Sequence, residues 1–98
     1  MVIVIANGSI APERRQAYLD AVKECGAVPA TQAETGCISY DVLATAASAD
    51  GLYIVERWDG FPALQAHMKA PNIAKLNALN SEFGVSYEAK VYNANPLG

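Results

Sequence analysis

Apolar positions along the chain switch between a period of two and a period of 3.6, and the switches mark out its elements. From Val2 to Asn7, Val2, Val4 and Ala6 alternate with Ile3, Ile5 and Asn7. Such a strand is apolar on both faces, as suits a central strand covered on both sides. After Asn-Gly-Ser and Ala-Pro, a helix is expected from about Glu13, with Tyr18, Ala21, Val22, Cys25 and Val28 at helical spacing. Gly26 and Pro29 predict a kink or split, and Thr35-Gly36 an end. Cys37 to Leu43 reads as a second strand, with Ile38, Tyr40 and Val42 on one face. The run AASADG, Ala46 to Gly51, is a longish hairpin loop that joins it to a third strand ending at Trp58. Pro71 opens a helix whose stripe is Ile73, Leu76, Leu79 and Phe83; Gly84 stops it, and Val85 to Tyr92 alternates as the last strand.

The order β-α-β-β-α-β predicts an α+β, ferredoxin-like domain over residues 1–98, with helices on one face of a four-stranded antiparallel sheet. The other face would carry Tyr53, Val55, Tyr40 and Val42. That patch is too apolar to be left wet, which predicts two sheets packed face to face in a homodimer. Arg57 on that face could meet a carboxylate of the second copy.

The stretch Tyr53 to Met68, YIVERWDGFPALQAHM, carries the chain's only Trp and only His. Strand alternation puts Leu52, Ile54, Glu56 and Trp58 on one face. Asp59 is the expected cap of the following helix, Pro62 lies in its first turn, and Phe61, Leu64 and Met68 form its stripe, with His67 at the edge. Trp58 and His67 thereby fall on surfaces able to face each other.

Composition narrows the partners. Net charge is −3 and the seven Lys and Arg are scattered, which argues against nucleic acid or an anionic membrane. No apolar run approaches the roughly 20 residues of a membrane span, and Met1 to Ile10 lacks a signal-peptide pattern, so a cytoplasmic location is expected. Cys25 and Cys37, without clustered His, suggest neither a disulfide framework nor a metal site.

The segments ETGCISYDVL (Glu34 to Leu43), YIVERWD (Tyr53 to Asp59) and LQAHMKAPNIAKL (Leu64 to Leu76), closed by VSYEAKVY, resemble the antibiotic biosynthesis monooxygenase family of small dimeric α/β-barrel proteins, nearly along the whole chain. The resemblance implies a pocket between helices and sheet, lined by Trp58 and helix residues. Haem-degrading relatives use an Asn late in the first strand, matched by Asn7, and a helix His whose place Asn77 takes; an amide is not an iron ligand of that type. Isomerase-like relatives carry a His in the L-x-x-H context of His67.

Together, the residues and the resemblance imply a cofactor-independent monooxygenase acting with O2 on a hydroxylated aromatic such as a hydroquinone or anthrone, needing no cofactor or metal. His67, whose unperturbed pKa lies near neutrality, would take the substrate proton, and Asn7 would steady the developing oxyanion. Trp58 would hold the ring, with Glu56, Tyr18 and Asn77 contributing to binding. Glu56, costly to bury charged, would be paired structurally or held with a raised pKa. Asn80 marks either a polar cavity or an exposed helix flank. The alternatives are an isomerase using His67 for proton transfer, or a non-catalytic dimeric binding or stress-response protein.

Overall fold

The computed structural model describes all 98 residues. The strands are β1 (Val2–Ser9), β2 (Cys37–Ala44), β3 (Gly51–Trp58) and β4 (Ser86–Asn93); the helices are α1 (Arg15–Glu24), α2 (Ala27–Gln32), α3 (Phe61–Met68) and α4 (Pro71–Phe83). The sheet runs β2-β3-β1-β4, every neighbouring pair antiparallel. This is the α+β, ferredoxin-like split arrangement expected from the sequence, and the doubly apolar β1 occupies its interior.

Helices cover one face. Val2, Val4 and Ala6 of β1 and Leu52, Ile54 and Trp58 of β3 are buried beneath Tyr18, Val22, Leu64 and Leu76 from the helices, in one continuous core. The first helical segment divides as Gly26 predicts: its φ of 72° ends α1 and begins α2, a left-handed conformation that a side chain would strain. A short 3₁₀ turn, Pro12–Arg14, precedes α1. Arg15 at the start of α1 donates from Nη1 to the carbonyls of Thr45, Ser48 and Gly51 at 3.1, 2.6 and 3.3 Å, and so fastens the β2–β3 loop to the helical layer.

Three expectations change. Tyr40 and Val42 do not share a face with Tyr53 and Val55. The register sets Tyr40 opposite Glu56 and Val42 opposite Ile54, so both lie on the helix side, and Asp41 and Leu43 take the outer face. Alternation within β2 defines two faces but not which is inward; pairing with β3 decides that. Asp59 does not cap α3, whose N-terminal flanking residue is Gly60 without a side-chain bond. The Asp59 backbone N–H instead donates to the Gly36 carbonyl at 2.8 Å, tying the end of β3 to the turn before β2. On α3 the buried residues are Leu64 and His67, while Phe61 and Met68 are 52% and 59% exposed, so the histidine lies on the inward face and not at its edge.

Candidate active site

The helix-facing side of the sheet, chiefly β3 and β4, forms one wall of the site, and α3 and α4 form its roof. A cavity of about 490 Å³ lies between them, with a mostly apolar lining that includes Val4, Ile54, Leu64, Ile73, Leu76 and Val91. The exposed Phe61 and Met68 also border it. Its polar groups are few: Glu56, His67, Tyr40, Gln65, Asn77, Asn80 and Tyr87. No Lys or Arg contributes to the wall.

His67 is held from three sides. Its Nδ1 lies 3.0 Å from Oε1 of Glu34, whose Oε2 accepts from the Asn72 amide at 2.9 Å. The Trp58 indole lies across the imidazole, with centroids 4.9 Å apart and planes at 31°, and the Tyr40 ring meets it edge-on at 5.5 Å. A carboxylate only accepts, so Nδ1 carries the hydrogen and Nε2 keeps its lone pair in the neutral ring.

Glu56 is buried beside this pair, and Trp58 Nε1 donates to its Oε1 at 3.0 Å. Burial pushes the Glu56 carboxyl above the usual carboxylate range; the Trp58 N–H and the charge of a protonated His67 pull it partly back. Burial likewise raises the Tyr40 phenol, with the nearby charge of Glu56 adding to the effect, so Tyr40 stays a protonated donor. Thr31 Oγ1 is the only buried side-chain polar atom without a partner. His67 Nε2, the second Glu56 oxygen and the Tyr40 hydroxyl bond no protein group, and all three residues line the cavity.

A second polar cluster stands over the other end. The Tyr18 hydroxyl is 2.6 Å from Asn80 Oδ1 and 2.9 Å from the Tyr87 hydroxyl. Gly8 lies beneath Tyr87, where a Cβ would come within 2.7 Å of the ring, so the absence of a side chain lets the phenol reach across. Burial raises the pKa of both Tyr18 and Tyr87.

The expected residues are thus sorted. His67, Glu56 and Asn77 border the cavity. Trp58 does not: fully buried, it backs His67 and Glu56 and offers no face to a ligand. Tyr18 is also fully buried, its hydroxyl spent on Asn80 and Tyr87. Asn7 lies on the outer face of the sheet among Ile5, Tyr53 and Glu88, away from His67, because strand alternation turns it opposite to Val4 and Ala6. Glu34, Tyr40 and Tyr87 join the site without any strong signal in the sequence. An acid directly before Thr35-Gly36 is the only hint of Glu34. No group of three or more His, Cys, Asp or Glu side chains is placed to hold a metal ion.

Comparison with known proteins agrees with this architecture. The family model described as antibiotic biosynthesis monooxygenase matches residues 1–79. Among solved structures, a candidate antibiotic biosynthesis monooxygenase from Deinococcus radiodurans is 23% identical over 98% of this chain and 94% of its own, with a TM-score of 0.84. A conserved protein of Methanosarcina mazei is 24% identical over 96% and 92%, with a TM-score of 0.82. A Mycobacterium tuberculosis protein is 25% identical over 97% and 95%, with a TM-score of 0.74. No curated protein matches the chain.

Proposed function

Because the chain belongs to the antibiotic biosynthesis monooxygenase family, we propose that it oxygenates a hydroxylated aromatic, a hydroquinone or anthrone, with O2 and with the substrate itself as reductant. The observation that carries this is His67: a buried imidazole lining an apolar cavity, with Nδ1 on Glu34 and no protein partner on Nε2.

With an anthrone, His67 Nε2 takes a proton from the ring CH2. The anion passes one electron to O2, and the substrate radical and superoxide combine into a new C–O bond. The peroxide takes the proton back from His67. Loss of the second C–H proton and of hydroxide then leaves a ring carbonyl and water, so one O2 and four substrate electrons are accounted for. Glu34 offsets the positive charge on His67 while the proton is held there, and the apolar wall keeps bulk water from the radical pair.

Purified protein mixed with a reduced naphthoquinol or anthrone should consume O2 in proportion to enzyme. Absence of protein-dependent O2 uptake, or undiminished turnover in His67→Ala, would remove this reading. The same imidazole–carboxylate pair could move protons without O2, as in an isomerase; turnover under argon would favour that. The lack of any Lys or Arg on the wall argues against phosphorylated substrates.

The functional unit we propose is a homodimer, with a second copy covering the outer sheet face.

A further inference from the structure

The hydrogen-bond order around Asn80 gives the cavity a second, chemically opposite end. The Tyr18–Asn80 contact of 2.6 Å is the length of an O–H···O bond; N–H···O bonds cluster near 2.9–3.0 Å. Tyr18 therefore donates to Asn80 Oδ1. Its single hydrogen is then committed, so at 2.9 Å the Tyr87 hydroxyl must be the donor to Tyr18. The chain Tyr87→Tyr18→Asn80 has one direction and fixes the amide: Oδ1 is turned toward Tyr18. The Nδ2 hydrogens, which bond no protein group, are left for the cavity that Asn80 lines.

We infer that Asn80 is a substrate-binding residue, whose Nδ2–H donates to a carbonyl or phenolate oxygen on the far side of the ring from the atom that His67 deprotonates. Glu56 stands opposite Val4 and Tyr87 opposite Gly8, on strands separated by β1. Two strand spacings and four residues of rise put those two Cα positions roughly 16 Å apart on the helix-facing side of the sheet. His67 and Asn80 line the same cavity, so a fused-ring substrate held there would present a ring carbon to one and an oxygen to the other.

In an anthrone the carbonyl lies across the central ring from the CH2. Deprotonation moves negative charge onto that oxygen, where the Asn80 donor is worth more than in the ground state. Asn80 thereby takes the role that Asn7 cannot fill from the outer face. The inference rests on His67 as the base, but its test does not need turnover.

Calorimetric titration under argon compares anthrone with 9,10-dihydroanthracene, which has the same rings without the oxygen. The protein should bind anthrone about tenfold more tightly, the worth of one buried hydrogen bond. Asn80→Asp, which keeps the acceptor for Tyr18 but removes the donor, and Asn80→Leu should each lose that preference while binding dihydroanthracene as before. Equal weakening for both ligands, no preference in the unaltered protein, or no binding of anthrone would overturn the assignment. Preference for anthrone with no O2 uptake would instead remove the monooxygenase reading and leave Asn80 in its role.

Discussion

The Nδ1 atom of His67 lies 3.0 Å from Oε1 of Glu34, and the two residues come from different parts of the fold: Glu34 from the turn before β2, His67 from α3. Asn72 at the start of α4 binds the other carboxylate oxygen. One carboxylate thus joins three segments and sets which imidazole nitrogen is free. Structure and proposed chemistry meet at this point, because whatever keeps the turn in place also keeps the His67 imidazole oriented.

Removing the base and removing its support should differ in kind. His67→Ala should lower kcat by about 10² to 10⁴, the usual worth of a positioned base, with added imidazole restoring part of the rate. Glu34→Gln should lower kcat about 10-fold or more with KM nearly unchanged, since Glu34 does not touch the substrate. Steady-state O2 consumption measures both. A Glu34→Gln enzyme with normal kcat would show the pair to be merely structural.

Glu56 gives a pH dependence of known sign. Its folded pKa is raised above the ordinary value of 4.5, so the folded state resists its ionisation. That resistance costs nothing below the ordinary value, and stability falls as pH rises from there through the raised one. Glu56→Gln keeps an acceptor for the Trp58 N–H and cannot ionise. Urea midpoints should show the variant gaining on the unaltered protein as pH rises above the ordinary carboxylate value of 4.5. A gap that is constant with pH would mean that burial does not raise the Glu56 pKa above its unfolded value.

Gly36 should be hard to replace. Its φ is 81°, and an added Cβ would come within 2.6 Å of Ala63 Cβ on α3 and of Asp59 Oδ1. Left-handed strain and overpacking together predict a loss of about 2 to 4 kcal/mol for Gly36→Ala, measurable by chemical denaturation. The clash falls two residues from Glu34, so turnover should suffer beyond the loss of stability.

How far the molecule is legible in its sequence differs by level. Alternation and helical spacing are local, and they suffice for the element order, the split at Gly26 and the meeting of Trp58 with His67. What is inward is not local. Alternation allows Tyr40 either face of its strand, and only the pairing with Glu56 turns it toward the helices. Spacing makes Met68 a stripe residue and His67 its neighbour; α3 is rotated so that the polar residue is buried, which Glu34 makes tolerable from across the fold. Asn7 matches a family position by its place along a strand, and a one-residue alternation puts it on the wrong side.

The outer sheet face makes the remaining prediction. Ile5 and Tyr92 are 40% and 47% exposed there, Leu43 is 47% exposed, and Val55 lies at its middle opposite Ile5 and Asp41. Burying such a face against its copy could supply the roughly 800 Å² per partner of a stable interface. Polar groups at its edges, among them Arg57, whose Nε donates to Ser39 Oγ at 2.8 Å, would form the rim. Light scattering should therefore report about twice the chain mass of 10.4 kDa for the unaltered protein. Val55→Asp, which sets a second carboxylate opposite Asp41 at the centre of the contact, should shift it to a single copy at micromolar concentration, with circular dichroism unchanged. A monomeric unaltered protein, or a Val55→Asp dimer of undiminished affinity, would mean that this face is not where two copies meet.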